Sequence, residues 1–197
     1  MIKAGITGGI GAGKTTVCRI FETLGIPVFY ADAEAKKILH NDRNVIHAVR
    51  AVFGEEVFTE GSPDRKKMAA VVFENAQKLQ QLNSILHPST FLKYEKWIAG
   101  MKDFPYTLLE AALIYESGAY KYLDKIIAVF STPELRIGRI IRRDNISAQQ
   151  VISIMKYQPK ADIHRKKSDF SIINEGDQLL IPQVMRIHEQ ILSLIKN

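Results

Sequence analysis

The sequence predicts an α/β protein: a doubly wound parallel sheet of five short strands flanked by helices, with a helical insertion after the second strand. Three observations predict it. Residues 2–30 read as strand, helix and strand, the building block of a parallel sheet. Helical periodicity then runs from Ala33 to about Met101, too long for a simple connection. Strand character returns three times after that, alternating with helices to the end of the sequence.

The elements follow in order. Ile2–Thr7 is a short apolar run that breaks into glycines, and Thr15–Leu24 is a helix closed by Gly25, the residue a helix C-terminus prefers. Val28-Phe29-Tyr30 is the second strand. In the insertion, breaks are expected at Gly54, at Gly61-Ser62-Pro63 and at His87-Pro88. Val45, Val49, Val52 and Phe53 share one helical face, as do Leu79, Leu82, Ile85 and Leu86. Tyr106–Glu110 and Lys125–Phe130 are strands, the second a continuous apolar run of the buried parallel kind. Ser131-Thr132-Pro133-Glu134 opens a helix with a hydroxyl cap, a proline in the first turn and an acid near the positive end. Ser147 and Gln150 form a capping box, Phe170–Ile173 is the last strand, and Leu179–Lys196 the closing helix.

Composition narrows the class. With 46% hydrophobic and 24% charged residues, the 197-residue chain is neither disordered nor of low complexity, and it is long enough to bury a core. Lys and Arg number 27 against 21 Asp and Glu, a net +6 that favours an anionic partner. The one cysteine, Cys18, excludes an internal disulfide framework and fits a reducing cytoplasm. No apolar run approaches the roughly 18–20 residues that span a bilayer, and the first residues lack the pattern of a signal peptide. The expectation is a cytoplasmic protein without a membrane partner.

Gly8-Gly9-Ile10-Gly11-Ala12-Gly13-Lys14-Thr15 fits G-x-x-x-x-G-K-[ST], the phosphate-binding P-loop, between a predicted strand and a predicted helix. Its glycines let backbone N–H groups converge on one anion. Lys14 brings a positive charge to the transferred phosphate, Thr15 can ligate Mg²⁺, and the following helix aims its positive end at the same place. A Gly-rich turn before an ordinary helix is the bland alternative. The sequence has no Asn-Lys-x-Asp guanine reader, no Leu-Ser-Gly-Gly-Gln signature and no strand ending in Asp-Glu, which leaves the small kinases with an arginine-bearing lid. A nucleotide-gated nucleic-acid-binding module would also use a basic surface, but no DNA- or RNA-binding motif is present.

A kinase needs a group to receive or orient the acceptor hydroxyl's proton, and Asp32, just past the second strand, is the candidate. The same side chain could cap the helix beginning near Ala33, and the two uses are compatible. Arg136, Arg139 and Arg143 share one helix face, with Arg142 close by. Like charges so spaced repel by roughly 0.2–0.5 kcal/mol per pair, a cost that a triphosphate would remove; a solvated basic face is the alternative. His87 could donate to a phosphate or sugar, or simply end a helix. The other histidines, His40, His47, His164 and His188, show no metal-ligand spacing. The basic triplet Arg165-Lys166-Lys167 has no assigned role.

Together these residues resemble the dephospho-coenzyme A kinase family. The resemblance runs nearly end to end. It takes in Gly5 through Thr16, Ala31-Asp32-Ala33, Asp64-Arg65, Leu86-His87-Pro88, Leu113-Ile114-Tyr115-Glu116, Arg139, Arg143-Asp144, Gln158, Ser168-Asp169 and Asn174-Glu175-Gly176. It implies ATP-dependent phosphorylation of the ribose 3′-hydroxyl of dephospho-coenzyme A. It further implies a five-stranded parallel P-loop core over about 1–33 and 104–197, a lid over about 136–165 and a helical acceptor-binding domain over about 34–103. Carried over, Gly11, Ala12, Gly13, Lys14, Thr15 and Thr16 would cradle ATP, with Thr15 on Mg²⁺. Asp32 would be the catalytic base or orienting acid, Arg139 and Arg143 would serve the lid, and Asn174 and Gly176 would line the adenine end. Arg65 and His87 would hold the acceptor. Two positions depart from the family pattern: Tyr30 stands where an aspartate is frequent, and Ala112 where a proline is usual.

Overall fold

Ile2–Thr7 forms strand β1 in the computed structural model, which describes residues 1–73, 75–156 and 166–195. The helix after it, α1, spans Lys14–Thr23, one residue earlier at each end than its sequence pattern suggests. Leu24 and Gly25 turn back onto its last carbonyls, with Gly25 at φ 78°. Strand β2 is Val28–Tyr30.

The chain divides into two compact units, Met1–Tyr30 with Ile98–Asn197, and Ala31–Trp97. In the second unit, α2 spans Ala31–Asn41 and α3 spans Arg43–Phe53, capped by Asp42. A two-stranded hairpin follows, β3 (Phe58–Thr59) against β4 (Ser62–Pro63), turning through Glu60 and Gly61, both with positive φ. The sequence shows only its break, because two-residue strands carry no alternation to detect. Helix α4 is Arg65–Phe73 and α5 is Ala76–Ala99.

Two expectations fail in this unit. His87-Pro88 does not separate two helices: α5 runs through it, with Pro88 in its interior. The proline removes one N–H, but Leu82, Leu86 and Tyr94 bury the same helix on either side, and that burial outweighs the local loss. Val52 does not join Val45, Val49 and Phe53 in the core but is 48% exposed. The apolar stripe centres on Val49 and Val52 lies at its margin. Around Val49 pack Ile38, Val45, Phe53, Val57, Phe58, Met68, Leu82 and Leu86, with Leu79 and Ile85 partly buried against them.

Back in the first unit, β5 is Tyr106–Glu110 and β6 is Lys125–Phe130. Helix α6, Pro133–Asp144, begins on a Thr132 cap, and α7, Ala148–Lys156, on the Ser147–Gln150 box, whose bonds run both ways. Strand β7 is Phe170–Ile173 and helix α8 is Leu180–Ile195. The sheet order is β2-β5-β1-β6-β7, and every pairing is parallel. All five carboxyl ends therefore reach one edge, with β1 in the centre. Beneath the sheet Val17, Cys18 and Phe21 of α1 meet Ile6, Leu108, Ile127 and Ile172, together with Val184, Ile187 and Ile191 of α8. The Tyr106 hydroxyl lies 2.7 Å from His188 Nδ1, tying α8 to β5. Among the described residues no helix is long and apolar enough to cross a membrane.

Candidate active site

β1 runs directly into the loop Gly8–Lys14 at the sheet's carboxyl edge. Two of its glycines show why no larger residue fits. Gly13, at φ 96°, is left-handed, and a Cβ there would strike the Asn174 side-chain amide. Gly9 is not left-handed, but its Cβ would fall on the guanidinium of Arg136.

The loop is gripped along its carbonyls. Arg136 Nε donates to the Ile10 carbonyl at 2.8 Å, and Asn174 Nδ2 to that of Ala12 at 2.8 Å. Arg139 Nη1 donates to the Gly11 carbonyl at 3.3 Å and to Ser131 Oγ at 3.0 Å. Its Nη2 reaches Asn174 O at 2.9 Å and Oδ1 at 3.2 Å. Ser131 and Asn174 are the first residues after β6 and β7, so this arginine ties two strand ends to the loop. A trans peptide aims its N–H opposite to its C=O, so carbonyls held by Arg136 and Asn174 turn the Gly11 and Gly13 amides the other way.

Lys14 is buried, and its Nζ donates to the Gly8 carbonyl at 2.9 Å. Thr15 and Thr16 are exposed in the first turn of α1. That turn has no side-chain cap and no acidic residue, so its amides and the helix dipole remain suited to an anion. Behind it Cys18 is fully buried, and burial, reinforced by the charge of Glu110, pushes its thiol well above the ordinary value. Glu110 ends β5 beside β1, in register with Ile6, and is itself only 7% exposed. Sequence reasoning passed over Glu110, Ser131 and the loop contact of Arg136; a charged residue closing an apolar strand was the available signal for the first.

The arginine face divides. Arg136 and Arg139 meet the loop, whereas Arg143 forks onto Asp144 at 2.8 and 2.7 Å and Arg142 bonds back to Gly138 of its own helix. Gly176 is left-handed at φ 95° in the turn after β7. Gln158, His164 and Arg165 lie outside the described residues, as does the last part of the expected lid, 157–165. Lys167 stacks its ammonium over the Tyr115 ring at 5.6 Å.

In the second unit Asp32 is exposed in the first turn of α2, inside the helix rather than ahead of it. His87 lies on α5, where burial holds its imidazole below the ordinary value and the charge of Asp32 opposes that shift. The structure thus brings Asp32 and His87 within each other's field. Arg65 is the first residue of α4. Among the described residues no three His, Cys, Asp or Glu side chains cluster as a metal cage.

The sequence matches the dephospho-CoA kinase family over residues 2–179. The chain belongs to that family. A dephospho-CoA kinase of Bacteroides fragilis is 34% identical over 186 residues, 94% of this chain and 91% of the relative. A Thermus thermophilus crystal structure superposes with a TM-score of 0.81 at 27% identity, covering 98% of this chain and 97% of the other. The dephospho-CoA kinase of Campylobacter jejuni gives a TM-score of 0.66 at 27% identity, with 97% of each chain covered. The chain is accordingly a P-loop kinase, a phosphotransferase of coenzyme A synthesis with a five-stranded parallel core.

In this family member the two departures have local consequences. Tyr30, the last residue of β2, has its phenol pushed up by burial, with further contributions from Cys18 and from a hydrogen bond to Glu22. The position thus carries a phenol tied to α1 where a carboxylate is frequent. At Ala112 the backbone carbonyl accepts from the buried Thr7 hydroxyl at 3.2 Å, which ties the segment after β5 to the end of β1 without help from proline.

Proposed function

We propose that this chain carries out its family's reaction at the Gly8–Lys14 loop. The γ-phosphoryl group of ATP would move to the ribose 3′-hydroxyl of dephospho-coenzyme A, giving coenzyme A and ADP. One observation carries the reading: a glycine loop at the end of the central strand, braced along its carbonyls, in a chain that belongs to this family.

The roles follow from chemistry. Gly11, Ala12, Gly13, Lys14, Thr15 and Thr16 hold the phosphates through amides, the α1 dipole and one ammonium. Lys14 neutralises charge on the transferred group. Asp32 accepts or orients the proton of the attacking hydroxyl, which makes that oxygen a better nucleophile. Arg139 and Arg143 serve the lid side, Arg139 by holding the loop to Asn174. Asn174 and Gly176 lie at the adenine end. Arg65 and His87 bind the acceptor, the second unit being its domain and about 136–165 the lid. A hydroxyl oxygen beside the phosphates suits Mg²⁺, which keeps several waters and travels with phosphates. The Thr15 hydroxyl would hold it, and when bound it draws charge from the phosphate oxygens. The single cysteine, buried and unmodified by any disulfide partner in the chain, fits a cytoplasmic setting.

A coupled ATP assay offering dephospho-coenzyme A beside adenosine, AMP and shikimate tests the proposal. Turnover is expected with dephospho-coenzyme A; activity confined to any other acceptor would reject it.

A further inference from the structure

Gln183, on α8, has no part in the family reading. β7 is an edge strand, last in the sheet order, and the Asn174 N–H just past it donates to the Phe130 carbonyl of β6 at 2.8 Å. Neighbouring residues of a strand present their N–H and C=O to opposite sides, so those of Ile173 face the open edge. Gln183 meets them there. Its Oε1 accepts from the Ile173 N–H at 2.9 Å, and its Nε2 donates to the Ile173 carbonyl at 3.0 Å. The same Nε2 donates to the Leu179 carbonyl at 3.1 Å. One side-chain amide thus stands in for a further strand and joins both ends of the turn 174–179. Within that turn Gly176 is left-handed at φ 95°, and Glu175, Gly176, Asp177 and Gln178 are exposed. Asn174 is also held by Arg139 and through the Ala12 carbonyl, on the side of the phosphate loop. Loss of the Gln183 amide therefore releases the turn more than it releases the loop.

We propose that Gln183 is a positioning residue for the nucleoside end of the nucleotide, setting the shape of the turn against which the base lies. The proposal rests on the reading that Asn174 and Gly176 lie at the adenine end. It assigns Gln183 an effect on adenosine binding, separate from the phosphates and from the acceptor.

The test separates the two ends of the ligand. Calorimetry compares MgADP with magnesium pyrophosphate, which carries the phosphates alone, on wild type, Gln183→Met and Gln183→Glu. The methionine keeps the length and loses every bond of the amide; the glutamate keeps the acceptor for Ile173 and loses both donations. Steady-state assays add kcat and the KM of ATP and of dephospho-coenzyme A. Wild type should bind MgADP more tightly than pyrophosphate. In Gln183→Met the ADP Kd and ATP KM should rise roughly three- to tenfold, the range for one or two neutral hydrogen bonds. The pyrophosphate Kd, acceptor KM and kcat should stay within about twofold of wild type. Gln183→Glu should show the same split, since Leu179 is released in both. A merely structural role would weaken pyrophosphate along with ADP. That result, or an ADP Kd unchanged in both variants, would overturn the proposal. A wild type that binds MgADP no more tightly than pyrophosphate would instead reject the adenine reading itself.

Discussion

At the scale of single residues, Asp32 and His87 carry the sharpest consequences. If Asp32 handles the acceptor proton, Asp32→Asn keeps its shape and loses its basicity. Turnover should fall by roughly 10²–10⁴-fold while MgADP affinity stays as in wild type. Near-normal turnover would remove Asp32 from the chemistry. His87 makes a pH prediction. Its folded value lies below the ordinary one, chiefly through burial, so the unfolded chain takes up the proton first. The stability that follows is whole above about pH 6.5 and is lost as pH falls from there toward the depressed folded value. Denaturant unfolding between pH 7.5 and 5 should therefore show a steeper acid loss for wild type than for His87→Gln. Equal slopes would mean that the imidazole is not sequestered.

At the scale of elements, legibility follows the length of the pattern. All five sheet strands and the caps at Thr132 and Ser147 stand in the sequence, because apolar runs and hydroxyl caps are local signals. The P-loop was equally plain, since its glycines answer to neighbours within one motif. What it leans on was hidden: Asn174 is 162 residues from Ala12, and only the strand order brings them together. For the same reason a shared arginine face did not reveal that Arg136 and Arg139 hold the loop while Arg143 pairs with Asp144. Helix α5 misled in the other direction, a local breaker overruled by burial along its length. Pro88 is exposed and denies the Ser84 carbonyl its helical donor. Pro88→Ala should restore that bond and stabilise the second unit by about 1–3 kcal/mol, read from denaturant midpoints. A lower midpoint would show that packing around the helix requires the proline.

At the scale of the whole molecule, composition points to one chain able to bury a core, and the described residues form two. The set around Val17, Ile6 and Ile187 shares no residue with the set around Val49. This separation follows from topology: the sheet closes through residues far apart in sequence, whereas the second unit is one continuous segment, Ala31–Trp97. Continuous segments with their own apolar centre can open as separate cooperative units. Val49 is fully buried, and Val49→Ala removes two methyl groups, a change that should cost roughly 1–3 kcal/mol of local stability. Hydrogen exchange should then quicken across α2, α3 and α5, while β1, β6 and α1 keep their protection. MgADP affinity should not move, because every residue proposed to hold its phosphates belongs to the first unit. Exchange that quickens equally in both segments would mean that the two cores unfold as one body, and the independence argued here would fall.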